Sequence, residues 1–184
     1  MKRSLVFAVA FAVVGCSGRV ERDDRPSFTI DHTQPFWLEF GRGSGWHGLN
    51  TVKIYQTGKV VLHRMKSESQ QDVTVLSWEA ATLQLSPEAL AEVPKAVESN
   101  SLTGLHKAYH RDIDDGTQWV LWLRHGEQEK SVYFDNSFPR GITTFAEQLD
   151  AILARAGSAT VKWQPVPVSE SRRHERELWD SIKR

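Results

Sequence analysis

An apolar run near the start of the chain constrains what the rest can become. Residues 4–14 carry Leu5, Val6, Phe7, Val9, Phe11, Val13 and Val14 behind the basic pair Lys2 and Arg3. As a helix the run would rise about 16 Å, roughly half of a bilayer core of ~30 Å. That is too short to span a membrane and suits the hydrophobic part of an export signal. A segment of this kind is expected to be removed, leaving the remainder to fold. The run leads into Cys16, the one cysteine among 184 residues. A lone cysteine excludes an internal disulfide, a four-thiolate zinc site and a cysteine-bound iron–sulfur cluster.

The junction Val13-Val14-Gly15-Cys16 resembles the lipobox of bacterial lipoproteins, with a small residue before the cut and the cysteine after it. The plain alternative is an incidental cysteine in an ordinary signal peptide or a buried helix. The resemblance implies diacylglycerol on the Cys16 sulfur, cleavage after Gly15 and, as a rule, acylation of the new amino terminus. One acyl chain holds a protein only marginally, whereas two or three make attachment practically permanent. Ser17 stands where an aspartate would signal inner-membrane retention, so the resemblance implies the outer membrane, facing the periplasm. The membrane, reached through the lipid on Cys16, is the first expected partner.

Charge steers the chain towards nothing in particular. Lys and Arg number 23, as do Asp and Glu, and loss of Lys2 and Arg3 leaves a small acidic excess. No basic patch is interleaved with aromatics, so nucleic acid is not expected as a partner. A hydrophobic content of 40%, with seven Trp, is enough to build a core and argues against a wholly disordered chain.

Residues 16–33, from the lipidated cysteine onwards, show charges of both signs and Pro26 without an apolar period, and read as a flexible tether. A globular domain is expected over 34–157. Alternation predicts strands at 35–42, 51–55, 60–63 and 73–85. Ser86-Pro87 opens a helix with an N-cap oxygen and a proline at the first helical position. Leu90, Val93 and Val97 share its face, and Pro94 is a conflict that should kink or shorten it. Strands follow at 117–125 and 131–134. A second helix begins after Pro139, with the apolar stripe Ile142, Phe145, Leu149, Ile152 and Leu153, and Gly157 ends it. The order ββββ-α-ββ-α predicts an α+β domain, an antiparallel sheet with two helices packed on it. Residues 158–184 read as an extended, charged tail in which Leu178, Trp179 and Ile182 could line one side of a short helix.

No motif assigns a catalytic residue. The stretch Gly41-Arg42-Gly43-Ser44-Gly45 lacks the Gly-Lys-Ser/Thr ending of a phosphate loop and is not a nucleophile elbow. It reads as a loop presenting Trp46 and His47, aromatic groups suited to anchoring a partner. His106 and His110 stand four apart, as on one helix face, with Asp112, Asp114 and Asp115 behind them. The glutamate of the metalloprotease motif is missing between the two histidines, and Gly116 falls where a calcium loop needs an oxygen ligand. A solvated connection is expected there, with no metal and no cofactor. The Trp residues are expected to pack on strands, a sugar-binding face being the alternative.

Phe40 to Gly48, the opening Leu85-Ser86-Pro87-Glu88, Asp115, the strand pair over 117–134 and Pro139 together resemble emfourin-type metalloprotease inhibitors. The same layout is similar to a group of small bacterial lipoprotein domains. The insert at 66–79 and the tail after 157 depart from the inhibitor pattern, and no site residue carries over. The expectation is a lipid-anchored periplasmic binding domain that recognises another protein, an inhibitor or immunity-type protein being the specific version. The competing expectation is an envelope hydrolase or ligand-binding enzyme whose site residues meet only in three dimensions.

Overall fold

A computed structural model describes residues 18–22, 27–31, 33–44, 47–70, 73–113 and 116–183. Alternation along residues 36–44 sets the architecture. Phe36, Leu38 and Phe40 point into the main core, so Trp37, Glu39 and Gly41 point to the opposite face. Both faces must then be covered, and helices cover both.

Among the described residues the strands are β1 (Arg19–Glu21), β2 (Phe36–Ser44), β3 (Gly48–Ile54), β4 (Lys59–Gln70), β5 (Val73–Gln84), β6 (Ala108–His110), β7 (Thr117–His125), β8 (Gln128–Asp135) and β9 (Gln164–Val166). They form one nine-stranded sheet in the order β1-β6-β8-β7-β2-β3-β4-β5-β9. The helices are α1 (Pro87–Ser99), α2 (Arg140–Arg155) and α3 (Val168–Ser181). None is long and apolar enough to cross a membrane.

One face carries α1 and α2. Val93, Ala96 and Val97 of α1 and Ile142, Phe145, Leu149, Ile152 and Leu153 of α2 join the apolar side chains of the central strands in the main core. Ser86 caps α1 by accepting from the Ala89 N–H at 3.2 Å. Pro94 does not end the helix, which continues to Ser99 with the proline ring buried. On the other face α3 lays Leu178 into a second cluster with Leu49, Val120 and Trp122.

The mixed α and β architecture agrees with the expected class, but the arrangement differs in three ways. The sheet gains β1, β6 and β9, each three residues long and too short to display a period. β6 joins β8 in parallel, so the sheet is not wholly antiparallel. A third helix, α3, occupies the charged tail. The stretch read as a tether is also partly structured: β1 pairs with β6, and Ile30 is buried in the main core. The glycine-rich segment is not all loop, because β2 continues to Ser44 while pairing with β3 and β7.

Candidate functional site

β2 and β3 set two charges opposite one another. Glu39 lies between Leu38 and Phe40, Lys53 lies between Val52 and Ile54, and the two are direct cross-strand partners. Their neighbours fill the main core, so pleating sends both charges to the face that α3 covers. α3 can approach because position 41 is glycine. A Cβ there would stand 2.7 Å from Leu178 Cδ2 and 3.0 Å from Leu49 Cδ1.

The result is a closed polar cluster. Glu39 is fully buried; Lys53 Nζ lies 3.3 Å from its Oε2, and His174 Nε2 of α3 lies 3.0 Å from its Oε1. Both approaches are at ion-pair distance but off hydrogen-bond alignment, which leaves the two carboxylate oxygens without a donor. The same His174 nitrogen is 2.8 Å from Thr51 Oγ1. On β4 the His63 ring stands 4.2 Å from the His174 ring, and its buried Nδ1 meets no hydrogen-bond partner.

Desolvation dominates the titration of these groups. Burial pushes the Glu39 carboxyl up to about 7 against the pull of the Lys53 ammonium, with Glu177 adding to the rise. Burial, followed by His63, Lys53 and Arg173, pushes His174 down to about 3. His63 is also lowered, chiefly by burial. One proton therefore serves the Glu39–His174 pair across the mildly acid range.

A histidine relay needs a nucleophile on one ring nitrogen and an acid on the other. Here Thr51 and Glu39 meet the same nitrogen, and Thr51 is only 2% exposed. The cluster does not assemble a triad, and α3 covers it. What it does is fix α3 to the sheet, together with Glu175, whose Oε1 accepts from the Leu49 N–H at 3.2 Å.

Beside the cluster runs an open groove of about 670 Å³, with Trp37, Tyr55, Trp122, Lys53, Arg124 and Glu177 among its walls. Trp37 meets Trp122 edge-on at 4.5 Å between ring centres. The Lys53 ammonium lies 4.9 Å from the Trp37 ring centre, so this lysine joins the groove to the buried carboxylate. The Trp122 indole N–H donates to Glu129 Oε1 at 2.8 Å. Aromatic faces and charges of both signs thus share one surface.

The residues singled out from sequence fall elsewhere. Cys16, Trp46, Asp114 and Asp115 lie outside the described residues. His47 is exposed in the turn between β2 and β3, its backbone N–H donating to Ser44 Oγ at 3.3 Å. His106 and His110 do not share a helix face, since His110 ends the strand β6. His106 packs on Tyr109 with ring centres 6.0 Å apart. His110 stands 3.6 Å from Glu21 and 3.9 Å from Asp135, while Asp112 is exposed.

The buried cluster escaped sequence reading because its members come from β2, β3, β4 and α3. The available signal was a charge flanked by apolar neighbours in each of two strands, Glu39 between Leu38 and Phe40 and Lys53 between Val52 and Ile54. Compared with protein-family models and with curated proteins, the chain matches none.

Proposed function

We propose that this chain is a lipid-anchored protein of the bacterial envelope, held at Cys16, whose domain binds another protein without catalysing a reaction. The observation that carries the binding role is the pairing of a closed titratable cluster with an open aromatic groove. The histidines and the buried Glu39 lie beneath α3, whereas Trp37, Tyr55, Trp122 and Arg124 line the groove with Lys53, Glu129 and Glu177. Trp, Tyr and Arg are the residue types that dominate binding energy at protein interfaces. A small-molecule pocket encloses most of its ligand; an open groove with both signs of charge suits a partner surface better. Inhibition of, or immunity to, an envelope-acting protein is the specific form of this role.

The groove and the turn at His47 lie towards opposite ends of β2. From Trp37 to Ser44 the strand extends roughly 24 Å, so the two are separate candidate contacts, and the groove is the one with built walls. A photo-crosslinking amino acid placed at Tyr55, His47 or exposed Lys95 in living cells distinguishes them. The expected result is one discrete protein adduct from position 55, lost on Arg124→Glu and absent from position 95. An adduct from position 47 alone would move the contact to the turn. Adducts of equal strength from 55 and 95, or an adduct indifferent to Arg124→Glu, would remove the groove from the proposal.

A further inference from the structure

Chain length ties the anchor to the sheet. Only Ser17 separates Cys16 from Gly18, and consecutive Cα atoms are 3.8 Å apart, so Gly18 stays within about 8 Å of Cys16. Gly18 already lies against the sheet, since a Cβ on it would stand 2.9 Å from the His110 carbonyl oxygen. β1 follows at once, with Arg19 opposite His110, Val20 opposite Tyr109 and Glu21 opposite Ala108. It is the terminal strand of the sheet on that side.

This corner also exposes apolar side chains. Val20 is 45% and Ile113 51% exposed, and among the described residues only Leu76 and Val168 are other large apolar residues so exposed. Ile113 shares a shallow depression with Arg19, Glu21, Arg111 and Asp112. Acidic and basic groups are mixed there, so charge supplies little attraction to a membrane; the short link to the anchor and the two apolar side chains supply the contact.

We propose that the β1–β6 edge rests on the bilayer that holds Cys16, with Val20 and Ile113 among the lipid headgroups. The sheet then stands on its edge, and strand order becomes height. Neighbouring strands are about 4.8 Å apart, which puts β2 roughly 19 Å and β9 roughly 38 Å from β1. The aromatic groove on β2, β3 and β7 is lifted clear of the headgroups, where a partner reaches it. This inference rests on acylation of Cys16.

With Cys16 acylated, no other thiol is present, so an introduced cysteine can carry an environment-sensitive dye. Mature lipidated protein bearing Val20→Cys, Ile113→Cys or Leu76→Cys is reconstituted in phosphatidylethanolamine–phosphatidylglycerol vesicles containing quencher lipids. Quenching at positions 20 and 113 is expected to exceed that at 76 several-fold and to persist in high salt. A Gly-Ser insertion between Ser17 and Gly18 should lower it to the level at 76. Equal quenching at all three positions, with the acyl mass present on Cys16, would overturn the orientation and leave the anchor standing. Absence of that mass would overturn both. Hydrogen exchange on the unsubstituted protein is an independent check: vesicles should slow exchange over 18–22 and 106–113 relative to detergent, and equal exchange there would count against the contact.

Discussion

Glu39 and His174 stand 3.0 Å apart in a buried space, and the single proton of the pair, held by Glu39, has a measurable consequence for folding. An acid whose folded value is raised keeps its proton longer in the native state, so Glu39 makes stability fall as pH rises from 4.5 to about 7. A histidine whose folded value is lowered forgoes a proton that the unfolded chain binds. His174 therefore makes stability fall as pH drops from 6.5 to about 3. Between 4.5 and 6.5 the two slopes oppose each other, because folded and unfolded pairs each hold one proton. Below 4.5 the unfolded pair binds two and the folded pair one, and stability is lost; His63, also lowered, adds to the loss on the acid side. Glu39→Gln removes the offset. Its stability should rise with pH across 4.5–6.5 more steeply than that of the unsubstituted protein, by up to about 1.4 kcal/mol per pH unit. Urea unfolding at both ends of that window reads the slope, and a variant no steeper than the parent would contradict the offset between the two groups.

α3 behaves as a strap whose docking is specified from outside itself. Its strip of Leu178, Trp179 and Ile182 is visible in the sequence, but the seat for it is made by Gly41, Leu49, Val120 and Trp122. Leu178 is fully buried, so Leu178→Ala should cost about 2–4 kcal/mol. The loss should be local: hydrogen exchange should accelerate along α3 while the amides of α2 stay protected. Equal acceleration in both helices would mean that the two faces of the sheet are a single cooperative unit. The same contrast explains which elements were readable. β2, β3, β5, β7 and β8, with α1 and α2, announce themselves because alternation or helical spacing operates within each. β1, β6 and β9 are specified only by partners distant in sequence, as Arg19 is by His110 and Pro165 by Glu79. The far half of β4 was missed because Lys66-Ser67-Glu68-Ser69-Gln70 has no apolar beat. Pro94 does not shorten α1, which runs on to Ser99 past the donor it lacks.

Taken together, the sheet separates two jobs. One face builds the core with α1 and α2, and the other carries α3, the closed cluster and the groove. Little of that second face could be read in advance. Glu39, Thr51, Lys53, His63 and His174 look unremarkable one at a time, and become a cluster only when the chain returns from residue 174 to cover residue 39. The proposed anchor is the reverse case, read entirely from local sequence around Cys16. The proposed attachment to the envelope sets where the domain would meet a partner and underlies the proposed upright orientation, so the decisive measurement is the mass of the mature amino-terminal peptide from cells. A chain beginning at Cys16 with a diacylglyceryl group on its sulfur is the predicted result. A chain that keeps Met1 and carries an unmodified thiol at Cys16 would contradict it.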